Sequence, residues 1–205
     1  MVSPAQPSGG RVQGAPLRAI LDFWKTVTPV DSIERRLAAM PLDAQQALNL
    51  SIRAEGCGVL ASSWYPAVAC GAFLDAMMAD VPVTELDTFV NDAAEFIMKE
   101  SLGGVHRAVF RVVGSPALMR DHAQTFWNRQ FDTGRVRIQE LGPGRQRHEY
   151  HDWQAHHPLI CRITFACVAP MFVAMGVKSP AVSPERCVAR GASEGFCSAI
   201  IHWTP

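Results

Sequence analysis

Neither sign of charge is in excess along this chain, because 19 Lys and Arg are matched by 19 Asp and Glu. The basic surplus that releases counterions from a phosphate backbone is therefore missing, and a generic nucleic-acid binder is excluded. The N-terminus lacks a basic segment followed by an apolar run and a small-residue cleavage site, so no secretory signal is read and the expected compartment is the cytoplasm. In that reducing setting Cys57, Cys70, Cys161, Cys167, Cys187 and Cys197 are expected as free thiols. Three motifs with well-understood chemistry are also missing: the G-x-S-x-G elbow, the H-E-x-x-H helix and the G-x-G-x-x-G loop. No catalytic residue is assigned on this basis, and whether the chain is an enzyme is left open. There is no internal repeat.

Apolar residues are abundant, at 48% of the 205 positions, with 10 Phe and 5 Trp among them. That suffices for a core without disulfides or metal. Residues 1–15 are rich in Pro, Gly and Ser and read as a disordered tail. Residues 16–205 read as a single domain, helical over 16–131, with a sheet and a buried helix over 132–205. Leu159 to Val177 is almost continuously apolar and approaches the roughly 20 residues that cross a bilayer. Arg162 interrupts it, and a helix buried on all sides explains the run better than a membrane span.

The period of the apolar residues changes near residue 132. Before it, Ser115-Pro116 reads as an N-cap with proline in the first helical position, leading to Phe126 and Trp127. After it, Val136 and Ile138 alternate with Arg135 and Arg137, the Gly142-Pro143-Gly144 turn follows, and Gln146 to Trp153 returns, which makes a hairpin. Pro158 opens the apolar helix and Gly176 closes it. Ala181 to Arg190 and Phe196 to Trp203 form a second hairpin. The fold class is therefore α/β (α+β): a four-stranded antiparallel sheet from two hairpins flanking a buried helix, with additional helices on the N-terminal side.

Glu185-Arg186-Cys187, Gly191, Phe196-Cys197 and Trp203, preceded by a helix ending in Met175-Gly176, resemble the terminal hairpin of the 4-vinyl reductase superfamily. That group includes Bet3-like tethering subunits, haem-nitric oxide sensors and aromatic-sensing domains. Phe131-Asp132-Thr133-Gly134 and Glu140 to Gly144 also resemble a roughly 200-residue myxobacterial paralogous family. The resemblance covers about residues 105 to 203 and implies a ligand pocket between sheet and helices: an acyl chain in Bet3-like members, haem in the nitric oxide sensors, a phenol-like ligand near a structural zinc in the aromatic sensors. The Tyr-x-Ser-x-Arg signature that grips haem propionates is absent, which disfavours haem.

If Arg190 pairs with Phe196, strand alternation places Glu185, Cys187 and Cys197 on one face, where Cys161 from the buried helix can join them. Cys161, Glu185, Cys187 and Cys197 would then suit zinc. The alternative is that the thiols are small fillers of a helix–sheet interface. His148, His151, His156 and His157 cluster within ten residues, as metal ligands or as solvated side chains. Arg135, Arg137, Arg145 and Arg147 make a partner-binding patch or a solvated sheet face.

The leading expectation is a cytoplasmic, non-catalytic sensory module whose cavity, bordered by Phe165, Phe172 and Trp203, encloses a small apolar or aromatic molecule and signals occupancy to a protein partner. A lyase, isomerase or hydrolase using the same cavity is one alternative, and a homodimeric scaffold is another.

Overall fold

A computed structural model describes residues 9–50, 58–101, 114–193 and 195–204. Cys57, residues 1–8 of the expected tail and the first residues of the resemblance, 105–113, lie outside them. Residues 9–15 are structured. Arg11–Gln13 forms β1, paired antiparallel with β2, Trp64–Pro66. Arg11 is held by Asp132, with Nε donating to Oδ2 at 2.7 Å. Composition suggests a tail because both partners of this segment lie more than fifty residues downstream.

Helix α1 (Gly14–Val27) buries Leu17, Ile20, Leu21 and Trp24, spaced for one helical face. It is followed by α2 (Val30–Ala38) and α3 (Leu42–Ala47), which start after Pro29 and Pro41. Pro66 precedes α4 (Ala67–Met78), where a proline is tolerated because the first helical N–H groups have no intrahelical acceptor. Next come α5 (Leu86–Ser101) and α6 (Pro116–Trp127). Ser115 caps α6 as expected, its Oγ accepting from the Leu118 N–H at 3.1 Å.

The second half carries the expected sheet. β3 (Arg135–Gly142), β4 (Arg145–His151), β5 (Lys178–Arg186) and β6 (Cys197–Thr204) lie in the order β3-β4-β6-β5, all antiparallel. Pro180 and Pro184 are accommodated because β5 is an edge strand. The inner face carries Val136 and Ile138, then Gln146, His148 and Tyr150, then Cys197, Ala199 and Ile201, as the cross-strand register requires.

Between the hairpins the apolar run forms two helices, α7 (Pro158–Ala166) and α8 (Val168–Ala174). Pro170 has no N–H for the Ala166 carbonyl, and its ring crowds that carbonyl, so the run breaks near Cys167. Burial is one-sided: Phe172 is enclosed, whereas Val173 is exposed. Arg162 extends from α7 towards Asp87 on α5, Nε to Oδ1 3.5 Å. No described helix is long and apolar enough to cross a membrane. Gly176 adopts φ +85° and closes α8, the conformation that favours glycine there.

Candidate functional site

An internal cavity of about 640 Å³ lies beneath the sheet. Its walls come from α1 (Leu17, Ile20), α4 (Leu74), α5 (Ile97), α6 (Ala123, Phe126) and α7 (Ile160, Ile163). The sheet closes it with Val136, His148 and Tyr150. Each helix contributes residues from its apolar stripe, yet the stripes meet around space. Volume and lining match a small-molecule cavity.

The expected border of Phe165, Phe172 and Trp203 is not where the cavity lies. Phe172 is fully buried and its ring contacts Trp203 at 5.3 Å between centroids, inside a second packed cluster with Met119, Val168, Met175 and Ile201. Phe165 packs on Tyr150 at 5.7 Å. These three aromatics are core because α8, bent away at Pro170, lays Phe172 directly on the sheet. The cavity opens on the other side, towards α1 and α6.

Four buried titratable groups line it, beside the exposed Arg129, and burial shifts each of the four towards its uncharged form. The Cys70 and Cys167 thiols are each pushed up to about 12, and Tyr150 is raised further by burial and by nearby Cys197 and Cys167. His148 is pushed down to about 4 by burial alone, so its imidazole is neutral at physiological pH. Its Nε2 lies 3.4 Å from the Gln146 Oε1, while the Gln146 amide donates to the Pro116 carbonyl at 3.3 Å. The histidine cluster includes this residue without separating it from its neighbours. The period-2 pattern does so: Gln146, His148 and Tyr150 alternate with Arg147, Glu149 and His151, so one polar pair must face inward.

A second constellation lies under the sheet near its β5–β6 end. Cys197 Sγ is 3.6 Å from His156 Nδ1, and Cys161 Sγ is 4.0 Å from the same atom. The Val188 N–H donates to Cys197 Sγ at 3.3 Å. Cys197 and Cys187 both lie close enough to Cys161 to raise its thiol. With Cys161, His156 and the Val188 N–H gathered around it, the Cys197 thiol is pushed down, while Cys161 is raised by Cys197 and by burial. The Cys161 and Cys197 thiols and the His156 imidazole form a three-donor set, all within 4.8 Å of one another, able to hold a metal ion.

Of the four residues read from the sequence, Cys161 and Cys197 come together, with His156 beside them. Glu185 faces away, accepting from Arg147 Nε at 2.9 Å and from Ser198 Oγ at 3.3 Å. Arg190 does not pair with Phe196; β5 ends at Arg186 opposite Ser198, after a bulge between Pro184 and Arg186. The bulge turns Glu185 to the outer face. Cys187 leads into a 3-10 turn, Val188–Arg190, and His156 joins Cys161 and Cys197.

The remaining histidines have structural roles. His151 pairs with Glu149 at 3.0 Å and stacks on Phe196 at 4.7 Å. His157 caps α7, accepting from the Leu159 N–H at 3.3 Å, and reaches Asp75 at 3.1 Å. In the arginine patch, Arg135 is paired with Asp152 and Arg147 with Glu185.

No protein-family model and no curated protein sequence matches the chain. Solved structures do. An Fe(II) unliganded H-NOX protein from K. algicida superposes with a TM-score of 0.65 at 12% identity, covering 94% of this chain and 97% of that one. An H-NOX protein from S. oneidensis in the Fe(II)NO ligation state gives 0.61 at 13% identity, covering 94% and 99%. A mutant of T. tengcongensis H-NOX gives 0.58 at 7% identity, covering 94% and 98%. The chain has the haem-NO-binding fold over nearly its whole length. That finding overturns the expectation that haem is disfavoured, which rested on one missing signature: the full-length structural neighbours are haem proteins.

Proposed function

We propose that this chain is a cytoplasmic sensory domain that encloses a small, flat or elongated apolar molecule in the cavity and signals its occupancy to a protein partner or to a second copy of itself. The observation that carries this reading is the cavity itself, about 640 Å³ of mostly apolar wall built from six helices and the sheet. Burying apolar ligand surface there contributes about 25 cal/mol per Å². Kinship with the 4-vinyl reductase and Bet3-like domains is part of the same reading, supported by the Cys187–Cys197 hairpin placed beside α7. Acid–base turnover in the cavity is the weaker alternative, because its thiols and imidazole have been moved away from neutral pH rather than towards it.

One feature favours haem among the possible occupants: His148 presents a neutral imidazole on the cavity wall, the form that binds iron. The lining fits the porphyrin's apolar body, and Arg129 can meet one of its carboxylates. When bound, haem would supply an iron that takes a diatomic gas. The chain's own part is to hold the ring, exclude water and keep His148 unprotonated.

Titration with anilinonaphthalene sulfonate tests the reading. Saturable one-to-one fluorescence enhancement is expected, weakened more than about tenfold in Ala123→Phe, whose ring projects into the cavity. The same titration with haem separates the two occupants, since a sharp one-equivalent Soret band that changes in His148→Gln belongs to haem alone. Absence of saturable binding by either probe contradicts the reading.

A further inference from the structure

Among the described residues that line the cavity, Arg129 is the one that carries a full charge, and no described Asp or Glu lines it. The residue is exposed, just beyond the end of α6, with Phe126 and Trp127 one turn before it on the apolar wall. Several arginines elsewhere in the protein are already neutralised by an acid. Arg11 is paired with Asp132, Arg120 with Asp121 and Glu140, Arg135 with Asp152, and Arg147 with Glu185. Arg129 has no carboxylate partner among the described residues. A planar guanidinium at the mouth of an apolar cavity, with no acid to neutralise it, sets a positive potential where a ligand's polar end must lie.

We infer that the cavity takes an amphipathic monocarboxylate, its aliphatic chain enclosed between α1, α6 and α7 and its carboxylate paired with Arg129 at the mouth. This inference rests on the proposed ligand-binding role and narrows it to a chemical class. One cation on the lining matches the single carboxylate of a linear acid. The buried part of the wall supports an uncharged chain: its thiols, phenol and imidazole are all held neutral.

Calorimetric titration of the full chain with dodecanoate and with 1-dodecanol, each kept below its aggregation concentration, tests the inference. Dodecanoate is expected to bind one-to-one and about tenfold more tightly than dodecanol, with the advantage shrinking at high salt. Shortening the acid to decanoate is expected to weaken binding about 15-fold, the effect of two methylenes at about fourfold each. Arg129→Gln should erase the preference for the acid and leave dodecanol unchanged, and Arg129→Glu should reverse it. This surface position can be substituted without entering the core. Equal affinities for acid and alcohol, or a preference that survives in Arg129→Gln, would overturn the carboxylate assignment while leaving the cavity reading intact. Stoichiometric binding of metal-free protoporphyrin IX with no binding of dodecanoate would also overturn it. If neither dodecanoate nor dodecanol nor the porphyrin binds, the ligand-binding reading itself fails.

Discussion

Phe172→Ala is expected to cost about 3–5 kcal/mol of stability, the loss typical of deleting a buried aromatic ring. At roughly 2–4 °C per kcal/mol for a domain of this size, the melting temperature should fall by about 6–20 °C. The ring is fully enclosed between elements distant in sequence: Met119 on α6, Val168 on its own helix, and Ile201 and Trp203 on β6. None of these can move into the space without unpacking from a second neighbour, so the void persists. Because Phe172 lies outside the cavity, the folded fraction of the variant should bind ligand as the parent does. Thermal and urea unfolding measure the first effect and ligand titration the second. A loss below about 1 kcal/mol would mean that the ring borders open space.

Acidification should expose His148. Its folded pKa of about 4 lies below the ordinary value of 6.5, so between those limits the unfolded chain binds a proton that the folded chain refuses. Stability is then fully present above pH 6.5 and is lost as the pH falls towards 4, by about 3 kcal/mol for a shift of this size. The cause is desolvation: a charged imidazole under the sheet would have Gln146 as its polar neighbour and Phe172 as its ring neighbour, 6.0 Å away. Urea midpoints measured from about pH 7.5 to about pH 4.5 should show this slope in the parent, and His148→Gln, which keeps a neutral polar group at the site, should remove most of it. Identical slopes in both proteins would mean that the imidazole is already solvated.

Local signals predicted local structure. Ser115-Pro116 starts α6, Pro158 starts α7, Gly176 ends α8, and the alternation of Val136 and Ile138 places β3. Each is decided by neighbours a few residues away. What escaped depended on distant partners or on a single residue inside a strong pattern. β1 exists because Trp64 to Pro66 and Asp132 come to it. One bulge in β5 reversed the face of Glu185 and exchanged it for His156 among the thiols. The cavity was hardest to locate, because an apolar stripe that faces empty space has the same spacing as one that faces a neighbour. Phe165 and Phe172 belong to the most apolar run of the chain, and that run faces the sheet.

The two constellations also adjoin one another. Trp127 and Phe131, on the cavity wall, pack against Trp153 at 5.0 and 4.9 Å between centroids, and Trp153 packs against His156 at 5.0 Å. Tyr150, also on that wall, pairs across the sheet with Cys197. Occupancy of the cavity and the state of the thiols thus share a continuous set of packed rings.

Everything functional in this account rests on empty space beneath the sheet. Diffraction from crystals of the protein pressurised with xenon, which enters dry apolar cavities, locates such space without assuming any ligand. The account predicts xenon density enclosed by Ile20, Leu74, Ala123, Phe126 and Ile163. Side chains closed over that volume, with xenon nowhere inside the domain, would contradict it.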